Sequence, residues 1–194
     1  AVDFLMWVVT GISTGLTQGF SIQLSQYYGA KDFENLRKSL AHSYRLTAFI
    51  AAGVLILSQS FASLVLTGLH TPSNIIGMSL LYLRIIFCGI PATAAYNMFA
   101  SALRAMGNSK TPLTAMIIAS VLNVSLDILF VAGFGWGVAG AAIATVIAQS
   151  FSAVYCFLIL RRIDIVHLSR ADFMTATGMN ARLMKLGIPV VFQN

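Results

Sequence analysis

Residues 117–135 read IIASVLNVSLDILFVAGFG, and this stretch decides the class of fold. It is a nearly continuous apolar run of about the 20 residues that a helix needs to cross a bilayer. One carboxylate, Asp127, lies two helical turns inside the run, where a charged side chain is costly. The rest of the chain is similar, because 58% of its 194 residues are hydrophobic and 9% are charged. Its mean hydropathy is +0.83. A soluble domain needs a more charged surface, so we predict an all-α polytopic membrane protein.

Five apolar segments are long enough to cross a bilayer. They cover residues 4–28, 46–66, 75–103, 113–132 and 138–160, and a sixth begins within 182–194. We therefore predict a bundle of about five complete transmembrane helices in 1–160, a cytoplasmic connector in 161–181, and the start of a sixth helix in 182–194. Because neither end of the chain looks like the end of a complete membrane protein, we expect it to be part of a larger one.

The basic residues predict the orientation of these helices. Lys and Arg occur in the first, third and fifth connectors and are absent from the second and fourth. Positively charged loops stay on the cytoplasmic side of a membrane, so these three connectors are predicted to lie inside. The same distribution accounts for the formal net charge of +6 without a nucleic-acid partner. We expect a multi-pass protein whose main partner is the lipid bilayer.

Proline and glycine suggest where helices begin, bend and end. Thr111 and Pro112 are typical of an N-cap followed by proline in the first helical turn, and Thr71 with Pro72 gives the same pattern. Gly107 suits a helix end. Pro91, in the sequence GIP, should kink the third segment because proline lacks an N–H group and its ring clashes with the preceding turn.

Three polar side chains are predicted at one depth in the membrane. Asp127 lies about 9 Å below the outer end of the fourth helix, with Asn123 one turn deeper on the same face. Thr145 lies about 12 Å down the fifth helix, level with the gap between them. The short GFGWG connector makes the two helices antiparallel neighbours. Gly137, Ala141 and Thr145 form a small-residue stripe, which favours close approach.

A carboxylate, a carboxamide and a hydroxyl at one depth can bind a cation through hard oxygen ligands, or surround an acid that gains and loses a proton. The alternative interpretation is a structural hydrogen-bond network that joins the helices. An intramembrane acid costs roughly 2.5–3.5 kcal/mol near a helix centre. This cost favours a functional site for the coupling of an ion or a proton.

Several stretches resemble the MATE family, the multidrug and toxic compound extrusion transporters. They are GLTQGFSIQLSQYYGAKD from Gly15, YLRIIFCGIP ending at Pro91, LRAMGNSKTP with Arg104, Gly107 and Pro112, LNVSLDILF, and GWGVAGAAIAT. The resemblance implies about twelve helices in two lobes that export organic cations in exchange for Na+ or H+. Residues 1–160 would be helices 2–6 of the N-terminal lobe, and 182–194 the start of helix 7. It also implies a bacterial or archaeal cell membrane.

Asn123, Asp127 and Thr145 occupy the positions of the family's acidic coupling site. They would bind Na+ if the protein is sodium-coupled, and no cofactor is implied beyond the coupling ion. A further acid would come from the family's first helix. Gln18 and Gln149 are candidates for lining a polar cavity. The remainder of the same polypeptide is an implied partner.

Two other functions stay open, namely a lipid-linked saccharide flippase of the same superfamily and a non-transporting membrane subunit. A flippase would be expected to carry more cationic side chains inside its helices, where Arg84 is the candidate. We predict no enzymatic activity, because the three histidines lie apart and no nucleophile is paired with a base.

Overall fold

The computed structural model describes residues 2–68, 75–173, 180, 183–185 and 189, and every regular element in them is helical. The α-helices are α1 (Val2–Gly29), α2 (Phe33–Gly68), α3 (Ile76–Cys88), α4 (Ile90–Ala105), α5 (Lys110–Asp127) and α6 (Gly137–Arg161). A π-helical turn, Ile128–Gly133, extends α5, and short 3-10 turns, Asp164–Val166 and Arg170–Phe173, follow α6. The predicted connector and the start of a further helix lie partly outside the described residues and stay predictions.

Four helical segments are long and apolar enough to cross a membrane. They are Phe33–Gly68, Ile76–Ala105, Lys110–Gly133 and Gly137–Arg161. These segments, with no strand among the described residues, confirm the predicted all-α membrane class. Helix α1 has 28 residues and is therefore about 40 Å long at 1.5 Å per residue, enough to span a bilayer.

Helix α2 begins much earlier than predicted, at Phe33, so most of the first predicted connector is helical. The Asp32 carboxylate accepts hydrogen bonds from the backbone N–H of Asn35 at 3.1 Å and from its side-chain amide at 2.7 Å, which caps the helix. Leu36 and Leu40 are each 1% exposed. This part of α2 is amphipathic, so its polar face lowers the hydropathy while its apolar face joins the core.

The predicted kink in the third segment is confirmed as a break between α3 and α4 at Gly89. Pro91 lies in the first turn of α4, where a missing N–H group costs least. The bend packs against α6, since a Cβ atom built on Gly89 would lie 2.8 Å from Cγ2 of Val146. Glycine therefore allows the close approach of the two helices at the bend.

Helix α4 ends in a left-handed glycine, as predicted for Gly107, which has φ +82°. The N–H of Gly107 donates to the carbonyl of Arg104 at 3.0 Å, and the N–H of Asn108 donates to that of Leu103 at 2.9 Å. This pair of bonds is a Schellman motif, which satisfies carbonyl groups that the helix end leaves without partners.

The predicted N-cap at Thr111 is wrong, because α5 begins one residue earlier, at Lys110. Asn108 provides the capping side chain instead, and its Oδ1 accepts the N–H of Thr111 at 3.1 Å. Pro112 does lie in the first turn. The equivalent prediction for Thr71 and Pro72 lies outside the described residues.

The core has a larger inner part and a smaller outer part. The inner cluster contains buried residues of α1, α2, α4, α5 and α6: Phe20, Leu24, Leu36, Leu40, Met98, Ala102, Leu103, Ala115, Cys156 and Leu160, with Val166 and Leu183. The outer cluster joins α2, α3 and the start of α4 through Ala62, Leu66, Leu83, Phe87 and Ile90. The ends of α1, α4 and α6 thus meet the starts of α2 and α5 at one side of the bundle, the side predicted to be cytoplasmic.

Candidate functional site

Helices α5 and α6 pack together as predicted, and Asn123 contacts Thr145 between them. The Nδ2 of Asn123 donates to Oγ1 of Thr145 at 3.4 Å. The Thr145 hydroxyl donates in turn to the carbonyl of Ala141 at 3.0 Å. Because this hydroxyl proton is used on α6, Thr145 accepts from the amide of Asn123, and the amide oxygen of Asn123 is directed elsewhere. That oxygen and a lone pair of Thr145 are the kinds of atom that bind a cation.

Asp127 lies one turn further out along α5, on the same face as Asn123. Its Oδ1 atom is buried and has no hydrogen-bond partner among the described residues. A buried acceptor without a partner loses its hydration with no compensation, and the cost is greater for a charged group. The Oδ1 atom of Asp127 is therefore an acceptor that no described side chain or backbone group satisfies. The structure brings Asn123 and Thr145 into contact and places Asp127 beside them along the helix.

A polar cavity of about 150 Å³ lies between α4, α5 and α6. It is lined by Tyr96, Met116, Ala119, Ser120, Asn123, Thr145, Ala148, Gln149 and Ser152. This space is large enough for several water molecules, since one needs about 10–15 Å³ by the same kind of measure. Gln149 thus lines the same cavity as Asn123 and Thr145. Gln18 is on the exposed side of α1, outside this lining, and its role stays a prediction.

Sequence reasoning missed Tyr96, Ser120 and Ser152 as members of this cavity. Ser120 precedes Asn123 by one turn, and Ser152 follows Thr145 by two turns, so the helical period alone would have placed both on the same faces. Tyr96 comes from α4, whose approach to the α5–α6 contact depends on tertiary packing. Its hydroxyl donates to the carbonyl of Pro112 at 3.3 Å, and no local signal in the sequence indicates that contact.

A π-helical turn begins immediately after Asp127 and was also missed. The N–H of Phe134 donates to the carbonyl of Leu129 at 2.9 Å, which is the i to i−5 bond of a π-helix. Three aromatic rings, those of Phe130, Phe134 and Trp136, pack together with centroids 5.1–6.0 Å apart. Such turns are rare and frequently occur at functional sites. This π-helical turn follows directly after Asp127, the last residue of α5.

The small-residue stripe on α6 differs from the predicted one. Gly137 is exposed, and a Cβ atom there would meet nothing within 4 Å. The buried small residues are instead Gly140, Ala144, Ala148 and Ser152. A Cβ atom on Gly140 would lie 2.9 Å from the Cβ of Phe130 in the π turn. The Oγ of Ser152 donates to the carbonyl of Ala148 on its own helix at 3.2 Å and lies 3.5 Å from the carbonyl of Ala115 on α5. Close approach therefore follows this stripe.

The remaining motif residues shape helix ends and packing. Gly15 and Pro112 are buried, and Pro91 is exposed. Arg104 is exposed near the inner end of α4, where its guanidinium donates to the Ser101 hydroxyl at 3.3 Å. Within the described ranges, no group of three or more His, Cys, Asp or Glu side chains is placed to hold a metal. Neutral oxygen atoms must therefore supplement Asp127 in any cation site built from these residues.

Comparison with known proteins gives consistent matches. The family model described as MatE matches residues 1–129. The probable multidrug resistance protein YoeA of Bacillus subtilis is 32% identical over 160 residues, which is 80% of this chain and 34% of that protein. YpnP, a second probable multidrug resistance protein of Bacillus subtilis, is 31% identical over 97% of this chain and 42% of its own length. The multidrug export protein MepA of Staphylococcus aureus is 23% identical over 94% of this chain and 41% of its own length. The chain thus spans less than half the length of these relatives.

Solved structures share the fold. A multidrug resistance MATE family transporter of the MOP superfamily in an inward-facing conformation matches 98% of this chain and 44% of its own, with TM-score 0.90 and 22% identity. An outward-facing conformation of such a transporter also gives TM-score 0.90 and 22% identity, over 98% of this chain and 43% of its own. The arrangement of α1–α6 is therefore the arrangement found in part of these two-lobed transporters.

Proposed function

This chain belongs to the MatE family of membrane transporters, and from that premise we propose that it takes part in secondary active efflux of organic cations and drugs. Antiport with Na+ or H+ would drive the export. The chain covers 34–42% of the length of its relatives from Bacillus subtilis, so we propose that it contributes most of one lobe, helices 2–6 of the N-terminal lobe. The remainder of the same polypeptide would supply the first helix and the second lobe, in the cell membrane of a bacterium or an archaeon.

The buried Oδ1 of Asp127, which has no hydrogen-bond partner within the described part of the chain, is the observation that carries the proposal. It lies one turn from the Asn123–Thr145 contact, beside a polar cavity that water can fill. Uptake of a proton by Asp127, or of a cation that also contacts the oxygen atoms of Asn123 and Thr145, removes the cost of the buried charge. No covalent chemistry is needed, because the net charge at this site favours one conformation over another.

The energy of this switch is limited. The cost of inserting one acid near the centre of a membrane helix is about 2.5–3.5 kcal/mol. Neutralising Asp127 shifts a two-state equilibrium only by the part of this cost that differs between the two states, which is at most on the order of 150-fold. Moving a transporter from about 1:99 to 99:1 takes about 10⁴-fold. Asp127 would therefore provide part of the required bias. The further acid that the family resemblance implies in the first helix would provide the rest.

The lobe is proposed to move as a unit when access alternates. Support comes from the equal TM-score of 0.90 against the inward-facing and the outward-facing transporter structures. A lobe that refolded between the two states would match one of them better. Rocking of one bundle against another around a fixed site is the usual mode of alternating access.

The test uses the complete polypeptide in proteoliposomes with an imposed Na+ or proton gradient and a fluorescent organic cation. The substitution Asp127→Asn should lower gradient-driven efflux by up to about 150-fold, the largest bias that its neutralisation can supply, with membrane insertion unchanged. Ser125→Ala is the matched control, because Ser125 is exposed on the same helix and bonds its own backbone at Val121. Undiminished ion-driven efflux by the Asp127→Asn protein would remove Asp127 from the mechanism.

The same assay separates sodium from proton coupling. Replacing Thr145 by valine keeps the shape of the side chain and removes its oxygen atom, whereas serine keeps the oxygen. A sodium site that uses Thr145 loses affinity in the valine variant alone. A proton site at Asp127 does not need Thr145 as a ligand, so efflux driven by a proton gradient should survive both changes. Efflux independent of either gradient would favour the flippase, and absence of transport would favour a non-transporting subunit.

A further inference from the structure

An apolar groove lies between α2, α4 and α6, away from the proposed coupling site. Its volume is about 370 Å³. The lining residues are Tyr44, Thr47, Ala48, Ala51, Ala52, Leu55, Pro91, Ala95, Met98, Phe99 and Phe157. None of them lines the polar cavity that contains Asn123 and Thr145. The groove runs along the middle of α2, from Tyr44 to Leu55, where small alanine side chains leave room between α2 and α4.

A second cavity of about 220 Å³ continues this groove toward the predicted cytoplasmic side. It shares Tyr44 and Phe157 with the groove, and its other lining residues are Leu160, Arg161, Val166, His167 and Leu168. The shared side chains belong to an aromatic cluster, in which the ring of Phe99 lies 5.5 Å from that of Tyr44 and 5.2 Å from that of Phe157. The two spaces therefore adjoin at this aromatic cluster, with the apolar groove above it and the more polar cavity below it, and together they are called the cleft.

The lower end of the cleft carries one permanent positive charge, that of Arg161, and an imidazole, that of His167. Arg161 is exposed in its wall at the last turn of α6, and the exposed His167 lies beside it in the lining. One acid is close, since the fully exposed Asp164 has its Oδ1 3.9 Å from Nε2 of His167. Basic pockets between transmembrane helices on the cytoplasmic side bind anionic lipid head groups.

Thr47 adds a polar contact between these two environments. Its hydroxyl is buried, with Thr47 8% exposed, and lacks a hydrogen-bond partner among the described residues. It lies one turn above Tyr44 on α2 and lines the apolar part of the cleft. A buried donor without a partner costs free energy unless a ligand accepts from it. An acceptor placed between a head group and a hydrocarbon chain meets this requirement.

We propose that this cleft binds an anionic phospholipid of the cytoplasmic leaflet. The phosphate contacts Arg161 and His167, a glycerol ester carbonyl accepts from Thr47, and one acyl chain occupies the groove along Ala48 and Ala52. The order of chemistry along the cleft, basic, then a hydroxyl, then apolar, is the order of groups in such a lipid. The site is independent of ion coupling, since it shares no lining residue with the polar cavity.

The experiment measures lipid retained by the complete polypeptide after transfer from nanodiscs into detergent, by native mass spectrometry. Phosphatidylglycerol is compared with zwitterionic phosphatidylethanolamine of the same acyl chains. The structure predicts selective retention of phosphatidylglycerol. Arg161→Gln should weaken it about fivefold, since one Arg near an anionic surface contributes about that factor. Arg162→Gln is the matched control, because Arg162 is the exposed neighbour outside the lining.

A second pair of variants tests the groove itself. Ala52→Phe fills the space and should abolish retention of phosphatidylglycerol, whereas Leu57→Phe adds a similar ring on the exposed face of α2, outside the lining, and should not. Equal retention of both lipids, full displacement by inorganic phosphate, or normal retention by Ala52→Phe would each overturn the proposal. Asp127→Asn should retain phosphatidylglycerol normally. A failure of the efflux mechanism is therefore distinguishable from a failure of the lipid site.

Discussion

Replacing Gly89 by alanine tests the packing of the bend between α3 and α4. The backbone there has φ −79° and ψ −11°, which alanine adopts without strain. The new methyl group would lie 2.8 Å from Cγ2 of Val146 and 3.0 Å from the carbonyl oxygen of Ile86. Overpacking of this kind costs typically 1–3 kcal/mol. We expect the upper part of that range, because the clash involves a β-branched side chain and a backbone atom.

A double-mutant cycle identifies the clash as the cause. Val146→Ala removes both methyl groups of a half-buried side chain and should cost about 1 kcal/mol. In the double variant the new methyl group of residue 89 occupies space vacated by Val146, so most of the stability lost in Gly89→Ala should be recovered. The contact with the carbonyl oxygen of Ile86 at 3.0 Å remains in both variants. Gly53→Ala is the control. It lies within α2, where a Cβ atom meets nothing within 4 Å, and it should stabilise the helix by about 0.5–1 kcal/mol.

The assay is the midpoint of thermal unfolding of the detergent-solubilised protein, measured for the wild type, both single variants, the double variant and Gly53→Ala. The expected order places Gly53→Ala highest and Gly89→Ala lowest. If the effects of Gly89→Ala and Val146→Ala simply add, the two side chains are not in contact. The bend would then lie elsewhere on α6, and the reasoning from the structure would be refuted.

Three predictions concern the inner helix ends. Gly107→Ala should lower the free energy of unfolding by about 1 kcal/mol through the left-handed backbone of residue 107 alone, because no described atom lies within 4 Å of a Cβ built there. Gly107→Asn should lose less stability, and the midpoint of thermal unfolding compares the two variants. Asn108→Ala should cost about 1 kcal/mol and speed amide exchange at Thr111, whose N–H loses its acceptor. The side-chain and backbone N–H groups of Asn35 hold the pKa of Asp32 below its ordinary 3.8. The stabilisation of α2 by the Asp32 carboxylate is therefore complete above about pH 4 and is lost as the pH falls through the lowered pKa. Amide exchange in the first turn of α2 should accelerate in that pH range in the wild type and not in Asp32→Ala.

The membrane class, the helix order and the Asn123–Thr145 contact follow from length, hydropathy and depth counted along the chain. A helix rises 1.5 Å per residue whatever its sequence, so two residues near a short connector can be placed at one level without coordinates. The kink at Pro91 follows from local chemistry for the same reason. These are properties of single helices or of one helical hairpin.

The errors come from features that hydropathy does not record. The first four turns of α2 carry Glu34 and Lys38 on one face and Leu36 and Leu40 on another. The mean hydropathy of this stretch is therefore low and did not indicate a helix, whereas the spacing of its apolar residues does. The π turn after Asp127 inserts a residue without any glycine or proline at its start. The stripe through Gly140 depends on which face of α6 packs against α5. Gly140 packs against Phe130 in the π turn, and the sequence alone does not predict this tertiary contact.

The stripe of Gly140, Ala144, Ala148 and Ser152 has a practical consequence for mutagenesis. Alanine scanning would probe this contact mainly at Gly140, where the added Cβ atom would lie 2.9 Å from the Cβ of Phe130. Two of the other positions are already alanine and Ser152 would lose only a hydroxyl group, so a survey of that kind would report one sensitive position and miss the rest of the stripe. Substitution by valine or leucine, one position at a time, is the informative experiment, because larger side chains do not fit between the two helices along this stripe.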